Sequence, residues 1–122
     1  MKRVMIYDDD PDLLNVCKLI LELKNFEVAG RETCSAILED LKQYHPDVIL
    51  MDNRIPDVGG VKATRLIKES NEFGHIPVIF FSAHNDIVEL AAEAGADYAL
   101  QKPFDMDELE KMVSAAAGIL MT

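Results

Sequence analysis

The sequence predicts an α/β domain, a doubly wound (βα)5 unit with five parallel strands and helices on both faces of the sheet. Short apolar runs alternate with helix-patterned segments five times within 122 residues. Such alternation builds a parallel sheet, because each return to a parallel strand needs a crossover helix. Two of the runs, 47–52 and 77–82, are almost unbroken apolar stretches. That composition suits strands covered on both faces. The segments between the elements are short, as in a compact doubly wound unit.

Each element has its own justification. Arg3–Tyr7 is short, apolar and partly β-branched, and reads as the first strand. Pro11 has a φ suited to a first helical turn, and Asp10 before it can accept from the free N–H groups of that turn. Leu13, Leu14, Cys17, Ile20, Leu21 and Leu23 give this helix a broad buried face, ending near Lys24-Asn25. Phe26–Ala29 is the second strand, closed by Gly30. Thr33–Tyr44 reads as a helix with Ile37, Leu38 and Leu41 inward, and Pro46 stops it.

Asp47–Asp52 is the third strand. A loop with Pro56, Gly59 and Gly60 leads to a helix over Val61–Glu69. Pro77–Ser82 is the fourth strand, and Asp86–Ala94 a short helix ended by Gly95 at the C′ position. Asp97–Gln101 is the fifth strand, and Asp105 caps a last helix running to about Ala117. With no repeat, low-complexity tract or linker, the expectation is one domain over residues 1–122.

Composition narrows the function. Hydrophobic residues make up 49%, enough for a core, and the net charge is −10. That balance argues against gripping a nucleic-acid backbone directly or docking on an anionic membrane. It serves solubility, and it suits a divalent cation or a basic partner. Cys17 and Cys34 form neither a disulfide framework nor a zinc motif and read as buried thiols. Four apolar residues after Lys2-Arg3 are too few for a signal peptide. The stretch Leu13–Leu23 is interrupted by Asn15, Lys18 and Glu22, so it does not span a membrane. A soluble, cytoplasmic protein is expected.

In an open parallel sheet, ligands bind at the carboxyl ends of the strands. Those ends carry Asp8, Asp9 and Asp10 on the first strand, Asp52 on the third, Ser82 on the fourth and Lys102 on the fifth. The second strand ends without a chemical group. Three adjacent carboxylates repel unless water or a cation relieves them. Asp9 and Asp52, with a loop carbonyl such as that of Arg54, offer hard oxygens for Mg2+. Carboxylates also serve as nucleophiles towards phosphoryl groups, and a lysine and a hydroxyl can hold the transferred oxygens.

Taken singly, these residues have plainer uses. Asp10 is an N-cap, Ser82 can cap the next helix, and Asp52 or Lys102 can be ordinary strand-end polar groups. His45, His75 and His84 lie in loops without metal spacing. His84 stands two residues past Ser82, and Arg54 two past Asp52, where both could tune access of water and donor. Phe80, Phe81, Met106 and Met112 read as packing, and Asp107, Glu108 and Glu110 as a solvated face.

Five segments together resemble the receiver domain of two-component response regulators, the CheY-like fold. They are Tyr7-Asp8-Asp9-Asp10-Pro11, Leu50-Met51-Asp52-Asn53-Arg54-Ile55-Pro56, Phe81-Ser82-Ala83, Gly95-Ala96-Asp97 and Lys102-Pro103-Phe104. The resemblance runs from Lys2 to about Ala117 and implies strand order 2-1-3-4-5. It implies that Asp52 is the phosphoacceptor, that Asp8 and Asp9 with Asp52 and the Arg54 carbonyl hold Mg2+, that Ser82 is the switch hydroxyl and that Lys102 binds phosphate. It also implies a cis Lys102–Pro103 bond. The implied partners are a sensor histidine kinase or histidine phosphotransfer protein and a downstream effector protein or effector domain. The chemistry would be confined to the chain's own phosphorylation and dephosphorylation.

Two departures stand out. Gly59 replaces an acid common in the family's loop, a change expected to loosen the loop and leave the chemistry alone. Ala99 stands where the family has a switch aromatic, and Tyr98 falls on the opposite strand face. The output surface is then expected to respond through Ser82 and the loop after it. Two other readings use the same residues. A haloacid-dehalogenase-like phosphatase would put its nucleophile in Asp8-Asp9-Asp10-Pro11-Asp12, but Asp12 stands where that family has Thr or Val. A receiver-like docking module would never be phosphorylated. The chain could also be one module of a longer regulator or hybrid kinase.

Overall fold

The structure is a computed structural model and describes residues 1–119. Five parallel strands form one sheet in the order β2-β1-β3-β4-β5, as expected. They are β1 (Arg3–Tyr7), β2 (Glu27–Arg31), β3 (Val48–Asp52), β4 (Val78–Ser82) and β5 (Tyr98–Gln101). The helices are α1 (Pro11–Leu23), α2 (Ile37–Tyr44), α3 (Gly60–Glu69), α4 (Ile87–Ala94) and α5 (Met106–Ala116). Among the described residues, no helix is long and apolar enough to cross a membrane.

Period-two alternation sorts the strand side chains into two cores. Val4, Ile6, Leu50, Ile79 and Phe81 face α1 and α5, meeting Cys17, Leu21, Leu109 and Val113. Met5, Tyr7, Ile49, Met51 and Val78 face α2 and α3, meeting Ile37, Leu41, Ala63 and Ile67. Phe80 packs with Ile87, Ala91 and Ala94 of α4. Every residue of β3 and β4 is buried, which accounts for their unbroken apolar sequences. Each fully buried Leu, Ile or Phe contributes about 1.5–3 kcal/mol relative to exposure.

The helix ends follow their sequence signals. Asp10 accepts from the N–H of Asp12 at 3.0 Å. Asp105 and Glu108 form a reciprocal capping box. Asn25 takes φ 69° after α1, so that the Phe26 N–H reaches the Leu21 carbonyl at 3.1 Å.

Several boundaries differ from expectation. Gly30 does not close β2 but pairs with Ile6 inside it, because the ladder continues to Arg31 opposite Tyr7. The strand therefore ends in a charged side chain, not in none. α2 begins at Ile37, not Thr33: Cys34 is drawn into the core and donates from Sγ to the Pro56 carbonyl at 3.5 Å, which holds its stretch out of the helix. Leu23 is 69% exposed, since two steps past buried Leu21 carry it about 200° around the helix, onto the outer face with Val16 and Leu19. Leu38 is exposed one step from buried Ile37. Met106, the first residue of α5, is 58% exposed at the rim of an apolar groove with Leu13, Val16 and Phe104. Both cysteines are buried free thiols, as read.

Candidate functional site

The chain leaves β1 for β2 on one side and then crosses to β3 on the other, so the carboxyl ends of β1 and β3 border the switch point of the sheet. There the carboxylate oxygens of Asp8, Asp9 and Asp52 lie within 4.8 Å of one another. Asp8 and Asp52 are 1% and 4% exposed, and Asp9 is open to solvent. Lys102 comes in from the end of β5. Its Nζ lies 2.8 Å from Asp8 Oδ2 and 3.0 Å from Asp52 Oδ1. The lysine sits over the Phe81 ring at 4.6 Å, and its backbone N–H donates to the Ser82 carbonyl at 2.9 Å. The Lys102–Pro103 peptide is cis, as the resemblance implied.

The remaining oxygens of the two buried acids are also engaged. Asp8 Oδ1 accepts from the Asp10 N–H at 2.9 Å, and Asp52 Oδ2 from the Arg54 N–H at 3.2 Å. Ser82 Oγ accepts from the His84 N–H at 3.0 Å, so it orders the turn after β4 and keeps its own proton free to donate. It does not cap α4, whose N-cap is Asp86. The groups expected to converge, Asp8, Asp9, Asp52, Ser82 and Lys102, all line one cleft of about 310 Å3, with Arg54 and His84 also on its wall.

Charge in this cleft is unbalanced. Four carboxylates, Asp8, Asp9, Asp10 and Asp52, line it against the Lys102 ammonium and the Arg54 guanidinium. Burial, then the neighbouring charge of Asp8, raises the Asp52 carboxyl above its ordinary value, although Lys102 and the Arg54 N–H pull the other way. Burial by itself would lower the Lys102 ammonium, but the hydrogen bonds and charges of Asp8 and Asp52 outweigh it and hold it above its ordinary value. Hard oxygens, an acidic surplus and a partly open cleft fit a small divalent cation such as Mg2+.

The β3–α3 loop is pinned against the strand end. The Asn53 N–H donates to the Phe81 carbonyl at 3.2 Å, and the Gly60 N–H to the Asn53 carbonyl at 3.0 Å. At Gly60 a Cβ would lie 2.4 Å from the Asp52 carbonyl oxygen, so only glycine fits there without a shift. Gly59 takes φ 85°, ψ 150°, a conformation that glycine alone adopts readily. With glycine in place of the acid, α3 has no side-chain N-cap. Tyr98 and Ala99 face opposite sides of the sheet: Tyr98 packs with the α1–α5 core and Ala99 with Phe80, its register partner on β4.

Sequence reasoning missed one polar cluster beside the site. Tyr7 Oη donates to Asp40 Oδ2 at 3.1 Å, and Arg31 Nε lies 3.6 Å from Asp40 Oδ1. Burial, then the charge of Asp40, raises the phenol well above its ordinary value. Arg31 is therefore turned to α2, not to the cleft. The one signal in the sequence was a tyrosine in an apolar strand directly before Asp8. Cys17 also lies near the cleft: burial and then the charge of Asp8 push its thiol up to about 11.

The model of the response regulator receiver domain matches residues 4–114. The chain is 32% identical over 117 residues to the CAI-1 autoinducer sensor kinase/phosphatase CqsS of Vibrio cholerae, covering 93% of this chain and 17% of that protein. It is 27% identical over 119 residues to the polar-differentiation response regulator DivK of Brucella ovis, covering 96% of this chain and 97% of DivK. The chain spans half or less of the first curated relatives it matches. Among solved structures, it is similar to the receiver domain of sensor histidine kinase PA1611 from Pseudomonas aeruginosa PAO1, solved with a magnesium ion coordinated in its active-site cleft. That match has TM-score 0.86 and 26% identity, and covers 96% of this chain and 98% of the other. With the strand order, the convergent cleft and the family match in agreement, the chain belongs to the response regulator receiver domain family.

Proposed function

We propose that this chain is a Mg2+-dependent phosphoacceptor switch, a single receiver domain over residues 1–122, in which Asp52 takes a phosphoryl group from a phosphohistidine. The observation that carries the reading is the Lys102 ammonium held between Asp8 and Asp52 at 2.8 and 3.0 Å. Such a bridge presents a nucleophilic carboxylate with a cation beside it in a half-shielded cleft. Asp8, Asp9, Asp52 and the Arg54 carbonyl would hold Mg2+, which when bound supplies positive charge for the crowded acids and for phosphoryl oxygens.

In transfer, an Asp52 carboxylate oxygen attacks phosphorus in line with the donor imidazole. The P–N bond breaks, the imidazole leaves, and an acyl phosphate remains on Asp52. Lys102 pairs with one phosphoryl oxygen, and the free Ser82 hydroxyl proton donates to another. The added charge and acceptor oxygens draw Ser82 and the loop after it towards Asp52. The surface of α4, β5 and α5 then changes its affinity for a partner. The donor is a sensor kinase or histidine phosphotransfer protein, and the output is an effector protein or attached effector domain. Turnover stays within the chain's own phosphorylation and dephosphorylation, and a cytoplasmic location goes with this reading.

The phosphatase alternative is disfavoured by geometry. Asp12 stands where that family has Thr or Val, and Asp10, which would be its second acid, is spent as the α1 cap. The test is incubation with acetyl phosphate or phosphoramidate and Mg2+, read by intact mass. Wild type should gain one phosphoryl group and Asp52→Asn none. Equal gain in both would refute Asp52 as acceptor, and steady release of phosphate from added esters would favour the phosphatase.

A further inference from the structure

One buried polar group beside the cleft takes no part in its chemistry. Tyr7 is fully buried in the α2–α3 core, yet its hydroxyl is satisfied by a single carboxylate, Asp40 of α2. The same carboxylate reaches Arg31 with its other oxygen. Tyr7 and Arg31 are partners in the last rung of the β1–β2 ladder. The next bond along is the Asp8 N–H to the Arg31 carbonyl, 3.0 Å. One side chain therefore grips both members of the rung from which Asp8 extends. The grip falls on an edge strand, where β2 has no second neighbour in the sheet to hold it.

We propose that Asp40 is a positioning residue for the cation site: by clamping Tyr7 and Arg31 it fixes the strand end that presents Asp8 to the cleft. The inference rests on the Mg2+ reading above. Mg2+ demands near-ideal octahedral geometry at short distances, so small drifts of a carboxylate ligand lower its affinity. Asp8 is steadied inside the cleft by Lys102 and the Asp10 N–H; the strand end that carries it is held by the Tyr7–Met51 pair on the β3 side and by this rung on the β2 side. A plain tertiary tie between α2 and the sheet would raise stability and leave the metal untouched.

Titration calorimetry of Mg2+ into the intact protein, paired with thermal melts in EDTA, separates the two. Tyr7→Phe removes one hydroxyl and keeps the charge of Asp40, so any change it makes is positional. It should weaken Mg2+ binding about three- to tenfold, at or below the range for outer-sphere partners of metal ligands. Asp40→Ala should weaken it about tenfold, and the double variant no further, because the two residues act as one clamp. Asp40→Asn keeps an acceptor for Tyr7 and should fall between Asp40→Ala and wild type. Ile67→Val, in the same core but away from the rung, should lower the melting temperature and leave Mg2+ affinity unchanged. Wild-type Mg2+ affinity in Tyr7→Phe and Asp40→Ala overturns the clamp while the cation reading stands. Failure of the wild type to bind Mg2+ at all overturns both.

Discussion

Replacing Lys102 by methionine should trade stability for metal affinity. The lysine bridges Asp8 and Asp52 at 2.8 and 3.0 Å, and those acids are 1% and 4% exposed. Methionine keeps most of the apolar stem and removes the charge. Two buried carboxylates then face each other with no cation. Breaking a buried pair by deleting one partner costs about 3–5 kcal/mol. The expected loss near neutral pH without metal lies in that range. Its pH dependence follows from the Asp52 carboxyl, already raised by burial and by Asp8, and raised further without the lysine. For a carboxyl raised on folding, the associated stability is present at low pH and lost as pH rises through the folded value. The variant should therefore approach wild type in acid and fall away towards neutrality. Asp52→Asn should show the opposite sign, stabilising the protein near neutrality in EDTA. Mg2+ should restore Lys102→Met, since no ammonium competes for the acids; a concentration of about 100 Kd supplies roughly 2.7 kcal/mol. Thermal melts across pH, in EDTA and in Mg2+, read all of this. Identical melts for Lys102→Met and wild type in EDTA, with unchanged Mg2+ affinity, would refute the electrostatic reasoning.

Other perturbations follow from the same geometry. Gly60→Ala places a Cβ against the Asp52 carbonyl and should cost about 1–3 kcal/mol by urea unfolding, with slower phosphorylation by acetyl phosphate. Thr64→Val should be neutral or stabilising by up to about 1 kcal/mol, because the Thr64 hydroxyl is buried without a hydrogen-bond partner among the described residues. Arg54→Ala and His84→Ala open the cleft wall and should change the rate at which phosphate is lost from Asp52, followed by intact mass over time. Unchanged rates in both would remove them from any role in access.

Much of the fold was legible because its signals are local or periodic. Asp10-Pro11, Asp105 with Glu108, and Gly95 mark helix ends by their own chemistry. The strands of the sheet centre announce themselves as unbroken apolar runs. The cleft was legible for a different reason: parallel topology brings strand ends together, so Asp8, Asp9, Asp52, Ser82 and Lys102 needed no further information to converge. What stayed hidden depends on tertiary choices. Cys34 takes Thr33–Ala36 out of α2 by packing under Pro56. Leu23, Leu38 and Met106 are apolar yet exposed, because helix rotation is set by stronger neighbours such as Leu21 and Ile37. The Tyr7–Asp40–Arg31 cluster joins residues from three elements, and no spacing rule announces it. The positive φ of Gly59, on a path held by backbone hydrogen bonds on either side, also depends on the loop as a whole.

The most direct test is chemical identification of the modified residue. Protein treated with phosphoramidate and Mg2+ is reduced with borohydride, which converts an acyl phosphate to an alcohol, and then digested with trypsin. Residue 52 should appear as homoserine in the peptide Gln43–Arg54, with Asp8, Asp9 and Asp10 intact. Reduction at one of those three acids, or an unaltered Asp52 in protein that has gained phosphate, would contradict the assignment.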